Sequence, residues 1–239
     1  MEKGKVLIDG DIIAYRAAFS ADSMSSSYAE SKAQELIEFV LEKTTVFPIP
    51  LIDYFVYLTG QGNFRHEIAK SFPYKGNRKD KPKPKYLKQI RDYLVSEHHA
   101  IVSEDEEADD LIAMEAAKNN YNVCVASVDK DMLQIPCWHF NITRGDFTKV
   151  SPEKGNKFFY TQILTGDSAD NIKGLWKVGP VKASLLLDGA VKEDELWDRV
   201  VKAYDGDEER VVENARLLWL RRKEGEIWLP PTERPDREQ

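Results

Sequence analysis

The 239-residue chain has little that would place it in a membrane or cross-link it covalently. It has two cysteines, Cys124 and Cys137, no CxxC pair, and four histidines without the spacing of zinc ligands. No apolar run approaches the length of a membrane span, and the opening MEKGKVLIDGD lacks the long apolar segment of a signal peptide. We therefore expect no zinc site and no membrane partner. We also expect a reducing, cytoplasmic setting, with Cys124 as a small core residue.

The net charge of -7 is unevenly distributed along the chain. Residues 65–91 contain ten Lys or Arg and only two acids, whereas residues 103–115 contain seven acids and no Lys or Arg. A basic block beside an acidic block suggests two tasks, gripping a polyanion and binding cations.

The hydrophobic pattern predicts an α/β fold with a parallel sheet, because short apolar runs alternate with helical periodicity. The predicted strands are Lys5–Asp9, Asp53–Leu58, Asn122–Val128 and Trp138–Asn141, and the predicted helices are Ala29–Thr45, Lys85–Glu97 and Glu107–Asn119. The polar stretch Gln61–Pro84 between them is predicted to be a loop or a mobile helical segment. After about residue 158 the pattern becomes helical, over Phe158–Leu187 and Glu193–Arg222.

Acidic side chains recur where ligands bind in such folds, outside the carboxyl ends of the strands. The four acidic clusters are Asp9 with Asp11, Glu107 with Asp109 and Asp110, Asp129 with Asp131, and Asp167 with Asp170. Any one cluster is readily explained as a turn, a helix cap or a favourable helix-dipole contact. Four together would repel one another unless a cation relieved the charge. Oxygen-only ligands favour Mg²⁺ or Mn²⁺, and two such ions would activate water and stabilise the leaving oxygen of a phosphodiester.

Two further segments suggest nucleic-acid contacts. The run Tyr74–Lys85 contains Tyr74, which could stack on a base, and a set of phosphate-binding candidates: Lys75, Arg78, Lys79, Lys81, Lys83 and Lys85. The alternative is a solvated surface loop. The second segment, Gly174–Leu187, includes Gly174, Gly179 and Lys182 in a hairpin suited to gripping a DNA backbone, although glycine-rich helix turns are also common.

The motifs VLIDGD, YKGNR, EADDLIA, SVDKDMLQI and GDSADNIKGLWKVGPVKA occur in that order between about residues 5 and 188. Together they resemble the 5′→3′ exonuclease and flap endonuclease family, and most nearly its bacteriophage 5′→3′ exonucleases. The resemblance implies a Rossmann-like (PIN-like) parallel sheet flanked by helices, a helical arch and a C-terminal helix–three-turn–helix region. We therefore expect a nuclease core over residues 1–157 with an arch at about 61–90, a DNA-binding region over 158–229 and a frayed tail over 230–239.

The resemblance also implies roles for individual residues. Asp9, Glu107, Asp109 and Asp110 would hold one metal ion, Asp129 and Asp131 would complete the bridge, and Asp167 and Asp170 would serve a second ion. Lys75 and Arg78 would be the basic residues of the arch, with Lys75 touching the scissile phosphate, and they would form the catalytic set with Asp9, Glu107 and Asp109. The turn from Gly174 to Gly179 would bind K⁺ through backbone carbonyls.

One position departs from the family pattern. Many members have an Asp at the end of the second strand, where this chain has Gly60. Asp11 is a second-sphere candidate that would compensate through water. The missing acid puts the metal affinity in question, together with the choice between Mg²⁺ and Mn²⁺.

These features predict a metal-dependent 5′→3′ exonuclease or flap endonuclease that acts on DNA with a 5′ end, nick or flap, or on RNA primers. Its role would lie in phage DNA replication in the host cytoplasm, with a separate DNA polymerase as partner. Two alternatives stay open at this point. One is a PIN-type ribonuclease, and the other is a branched-DNA-binding protein with weakened catalysis.

Overall fold

The computed structural model describes residues 4–45, 51–78 and 82–234. The chain divides into two compact units. The first contains Met1–Asn63 and Pro82–Val150, and the second contains Phe64–Lys81 and Ser151–Gln239. This division differs from the expected one, in which the stretch around residues 61–90 belonged to the nuclease core. Within the second unit, the buried Arg65 donates from Nε to the Leu217 carbonyl and from Nη2 to the Trp219 carbonyl, which ties this stretch to the C-terminal helices.

The first unit is built on a mostly parallel β-sheet. Its strands are β1 (Gly4–Asp9), β2 (Leu51–Gln61), β3 (Ile101–Glu104), β4 (Val123–Ser127), β5 (Trp138–Asn141) and β6 (Phe147–Lys149). They lie in the order β3-β2-β1-β4-β5-β6, and every neighbouring pair is parallel except β5 with β6. The first five strands follow the doubly wound order, so the strand order reverses between β1 and β4. The predicted Rossmann-like sheet is confirmed.

Helices pack against this sheet, and the hydrophobic core lies between them and the strands. They are α1 (Gly10–Ser20), α2 (Ser26–Thr44), α4 (Leu87–His98) and α5 (Ala108–Lys118). Alanines let α1 and α2 pack closely, since Ala17 and Ala33 are both fully buried. The core also takes in Cys124, whose thiol pKa is raised to about 12 by burial, as expected for a packing residue.

The second unit is mainly helical. Its helices are α3 (Arg65–Ile68), α6 (Pro152–Thr165), α7 (Pro180–Leu186), α8 (Glu193–Ala203) and α9 (Glu208–Leu218), and a two-stranded hairpin is formed by β7 (Gly166–Asp167) and β8 (Ile172–Lys173). Aromatic residues dominate its core, where Phe159 contacts both Trp219 and Trp228.

Several predicted elements have different limits in the structure. The stretch Phe158–Leu187, predicted to be helical with glycine-rich turns, is interrupted after Thr165, where Gly166 has φ +68 and the β7–β8 hairpin follows. The predicted helix Glu193–Arg222 divides into α8 and α9 at Asp205 and Gly206, which both have positive φ. A positive φ cannot continue a right-handed helix, so each of these predicted helical stretches contains two helices, and the residues with positive φ set their limits.

Three further predictions concern the basic segment and the tail. In the described part of residues 61–90, helix is confined to α3, a 3₁₀ turn at Gly76–Arg78 and the start of α4. Pro231–Glu233 forms another 3₁₀ turn, and Arg234 pairs with Glu193 at 2.7 and 2.8 Å, so the predicted fraying does not begin at residue 230. Lys79 and Lys81 lie outside the described residues, as do residues 235–239.

None of the helices in the described ranges combines the length and the apolar character that crossing a bilayer requires.

Candidate active site

Asp9 is at the centre of the first unit's acidic edge. It ends β1 and caps α1, where its Oδ1 accepts a hydrogen bond from the Ile12 amide at 3.1 Å. Its Oδ2 accepts a hydrogen bond from the Ser127 hydroxyl at 2.7 Å. The side chain is almost fully buried. Burial raises the pKa of Asp9 to about 7, against the lowering effect of the Ser127 hydrogen bond and with smaller contributions from nearby carboxylate charges.

Ser127 links Asp9 to the next acidic cluster. It ends β4, which pairs in parallel with β1, and its hydroxyl also accepts a hydrogen bond from the Asp129 amide at 2.9 Å. Asp129 in turn accepts from the Asp131 amide at 2.9 Å and caps a 3₁₀ turn. Asp9 and Asp129 therefore flank the point where the strand order reverses, which is where doubly wound sheets bind ligands.

The third cluster begins α5. Glu107 is the N-cap residue, and its amide donates to Asp110 Oδ2 at 3.2 Å. Asp110 is fully buried, whereas Glu107 and Asp109 are half-buried. One oxygen of Asp110 thus serves the helix cap, and Glu107 and Asp109 are the more accessible carboxylates of this cluster.

Gly60, where an acid was expected from the family pattern, is required by packing. A Cβ atom at this position would lie 1.9 Å from the Ser103 carbonyl oxygen on β3. The Gly60 amide also donates to Ser103 Oγ at 3.0 Å. No residue with a side chain fits there unless β2 and β3 separate, so the missing acid follows from the close contact of these two strands.

Asp11 has partners other than the predicted metal-bound water. Arg91 on α4 donates from Nη1 to Asp11 Oδ1, and the Thr59 amide donates to Asp11 Oδ2 at 3.0 Å. Both oxygens of Asp11 are therefore engaged within the fold. Neither Arg91 nor Thr59 belongs to the motifs quoted above, so the sequence carries no signal for this contact.

The carboxylate oxygens of the first unit are the type of ligand that a hard cation prefers, but the described side chains do not surround a common point. They offer only oxygen donors, and the buried Asp9 feels the charges of Asp11 and Asp129, a repulsion that a cation would relieve. Within the described residues, however, no three His, Cys, Asp or Glu side chains come close enough together to hold a metal ion.

Asp167 and Asp170 lie in the second unit, on the β7–β8 hairpin. Asp167 is buried, and its Oδ1 accepts from the Ala169 amide at 2.6 Å, which closes the turn. Asp170 is held by three side chains: Arg78 Nη2 at 2.5 Å from Oδ1, Tyr74 hydroxyl at 2.8 Å from Oδ2, and Lys75 Nζ at 3.8 Å from Oδ2.

The basic segment therefore has an internal partner in the second unit. Lys75 and Arg78, expected to act on a phosphate, face Asp170. Tyr74 is 4% exposed and belongs to the apolar core, so it is not available to stack on a base in this structure. An aromatic ring whose hydroxyl finds a buried partner is more stable inside the core than in water. Lys83, in the first unit, is exposed.

The glycine-rich hairpin of the second unit combines tight packing with an exposed tip. Gly174 cannot carry a Cβ, which would lie 2.3 Å from the Thr165 carbonyl carbon, so internal packing by itself requires a glycine at this position. Gly179 faces open space. The sequence analysis missed Trp176, which is 84% exposed beside Lys177, a residue with φ +59. Lys182 is exposed on α7.

The fold matches those of known nucleases. The T5 D15 protein co-crystallised with metal ions superposes on this chain with a TM-score of 0.65 at 18% sequence identity. The superposition covers 90% of this chain and 89% of the T5 protein. The T5 5′-exonuclease with bound zinc gives 0.67 at 16% identity over the same shares of the two chains. Flap endonuclease-1 from Methanococcus jannaschii gives 0.52 at 18% identity, over 89% of this chain and 79% of the other.

Sequence comparison gives the family. A model described as 5′-3′ exonuclease, N-terminal resolvase-like domain, matches residues 5–161, and the chain belongs to this family. DNA polymerase I of Bacillus subtilis (strain 168) is 33% identical over 83% of this chain, and the 5′-3′ exonuclease of Buchnera aphidicola subsp. Schizaphis graminum (strain Sg) is 27% identical over 84% of this chain. The match covers 75% of the Buchnera protein. The chain spans about a quarter of the length of the DNA polymerase I relatives, 24% for the B. subtilis protein.

Proposed function

We propose that the chain is a metal-dependent nuclease that hydrolyses DNA phosphodiester bonds at 5′ ends, nicks or flaps. The observation that carries this proposal is the buried Asp9, whose Oδ2 shares the Ser127 hydroxyl with the Asp129 amide at the switch point of the sheet. A buried carboxylate beside further acids is a common arrangement at functional sites.

The residues of the first unit would act as follows. Asp9, Glu107, Asp109, Asp110, Asp129 and Asp131 would supply the ligands for Mg²⁺ or Mn²⁺. The bound ion would lower the pKa of the attacking water and neutralise charge on the phosphate. Ser127 would orient the carboxylate of Asp9 towards the ion, because its hydroxyl holds the other oxygen of that group.

The residues of the second unit would grip DNA through an exposed basic surface. Lys173, Lys177 and Lys182 are all exposed, and no acid lies between Ile172 and Leu187. Lysines that contact phosphates give affinity without reading the sequence. Asp167 and Asp170 as ligands of a second ion, Lys75 at the scissile phosphate, Arg78 as a basic residue of the arch, and K⁺ at the Gly174–Gly179 turn stay predictions from the family resemblance. So do the role in phage replication and the polymerase partner.

The test is cleavage of 5′-labelled duplex, nicked and flap DNA in Mg²⁺ and then in Mn²⁺. Asp129→Asn keeps the shape and an acceptor oxygen but removes the charge, and we expect a loss of activity of about 100-fold or more with DNA binding retained. The matched control is Asp92→Asn, in an exposed pair with Lys88 on α4, which should cleave like the parent. Parental activity in Asp129→Asn would overturn the proposal.

The same substrates separate the alternatives. A PIN-type ribonuclease would cut RNA in preference to DNA. A branched-DNA-binding protein would bind flap DNA without cutting it in either metal ion.

A further inference from the structure

Thr59, the residue before Gly60 at the end of β2, makes three hydrogen bonds in the first unit. Its amide donates to Asp11 Oδ2 at 3.0 Å, and its carbonyl accepts from Arg91 Nη2. Its hydroxyl Oγ1 accepts from the amide of Ala108 at 3.0 Å. Since Arg91 also pairs with Asp11, the three residues Arg91, Asp11 and Thr59 form a closed set of contacts.

This set joins four elements of the fold. Arg91 lies on α4, Asp11 on α1 and Thr59 on β2, and Ala108 is the first residue of α5. The first amides of a helix have no partner within the helix, so a side-chain acceptor there fixes how the helix begins. Thr59 therefore fixes the position of α5 at the residue that stands between Glu107 and Asp109.

We propose that Thr59, held by Asp11 and Arg91, is a positioning residue that sets the geometry of the metal-ligating carboxylates Glu107 and Asp109. This inference rests on the proposed function, because it requires those acids to bind the ion. In this inference Asp11 acts on the site indirectly, because it accepts the hydrogen bond that holds the Thr59 amide.

The contacts of Thr59, Asp11 and Arg91 are expected to affect the position of the metal ligands more than the stability of the fold. The side chains of Arg91 and Asp11 are only 26% and 24% exposed, and the desolvation of a largely buried ion pair offsets much of its Coulombic gain. Metal–ligand distances, in contrast, tolerate only about 0.2 Å of error, and loss of an outer contact typically weakens metal binding by about 10- to 100-fold. A small shift of the α5 terminus would therefore change ion affinity far more than it would change stability.

The test compares Thr59→Val with Thr59→Ser in the full chain without DNA. Valine keeps the β-branched shape and removes the acceptor of the Ala108 amide, whereas serine keeps the hydroxyl. Mn²⁺ binding is measured by isothermal titration calorimetry, and the unfolding midpoint is measured in parallel. We expect Thr59→Val to raise the Kd for Mn²⁺ by about 10-fold or more, with only the modest fall in the unfolding midpoint that an unpaired backbone amide brings, and Thr59→Ser to bind like the parent.

Equal Mn²⁺ affinities for Thr59→Val and the parent would overturn the inference, as would a lower unfolding midpoint with unchanged affinity. Asp109→Asn in the same titration separates this failure from failure of the proposed function. If Asp109→Asn also binds Mn²⁺ like the parent, the metal site itself is wrong. Should Thr59→Val not fold, Arg91→Met, which removes both arginine contacts, is titrated in its place with the same expectation.

Discussion

Replacing Gly60 tests whether the missing acid is a consequence of packing. In Gly60→Ala the new Cβ would start 1.9 Å from the Ser103 carbonyl oxygen, a separation that real Cβ atoms do not show, so β2 and β3 must separate by at least about 1 Å. Such overpacking costs about 1–3 kcal/mol. Separation also strains the hydrogen bond from the Gly60 amide to Ser103 Oγ, which contributes about 1 kcal/mol.

We therefore expect Gly60→Ala to lower the free energy of unfolding by about 2–4 kcal/mol, a large part of the 5–15 kcal/mol typical of a domain. The assay is urea unfolding followed by circular dichroism, read as the shift in midpoint at constant slope. Gly179→Ala is the control, because its Cβ meets nothing within 4 Å and its φ of -95 suits any residue.

A common midpoint for Gly60→Ala and Gly179→Ala would refute the packing argument. Adding Ser103→Ala should not rescue Gly60→Ala, because the clash is with a backbone oxygen. Gly60→Asp, which restores the family's acid, should be at least as unstable as Gly60→Ala and should not strengthen Mn²⁺ binding in calorimetry.

Three further predictions follow from single contacts. Ser127→Ala removes the hydrogen bond to Asp9 and should weaken Mn²⁺ binding by about 10- to 100-fold in calorimetry; unchanged affinity would contradict the orienting role of Ser127. Lys182→Ala should lower the slope of log K against log salt for duplex binding by about 0.9, whereas an unchanged slope would place Lys182 away from phosphates. Burial lowers the pKa of His139, so the unfolded chain takes up a proton more readily than the folded one. Stability should then fall as the pH drops below about 6.5, by up to about 1.4 kcal/mol per pH unit, and His139→Gln should flatten this dependence in urea unfolding.

The periodic parts of the fold could be predicted from the sequence because their signals are local. The apolar runs of β1, β4 and β5 give nearly the observed limits, and an acid directly after a buried strand marks its carboxyl end, as Asp9 does. Helix ends that depend on a backbone reversal were harder to place. The Asp205–Gly206 pair is a turn signal inside a stretch predicted to be helical, and the structure separates α8 from α9 there, where both residues have positive φ.

The candidate site shows the same limit. The order of motifs identified the acids, but it did not identify the residues that hold them, because Ser127, Thr59 and Arg91 act through contacts between residues far apart in sequence. Nor did it separate an exposed aromatic residue from a buried one. Tyr74 was expected at a DNA surface and lies in the core, whereas Trp176 was overlooked and is exposed.

The sequence by itself determined the fold class, the family and the set of acidic residues, since periodicity and motif order are properties of the chain. Only the tertiary structure decided which partners each acid has and how deeply it is buried, because both depend on segments that are distant in sequence. It places Asp9 against Ser127, engages Asp11 with Arg91, and leaves no room for a side chain at Gly60. The absence of an acid at that position is thereby explained by the distance between two strands.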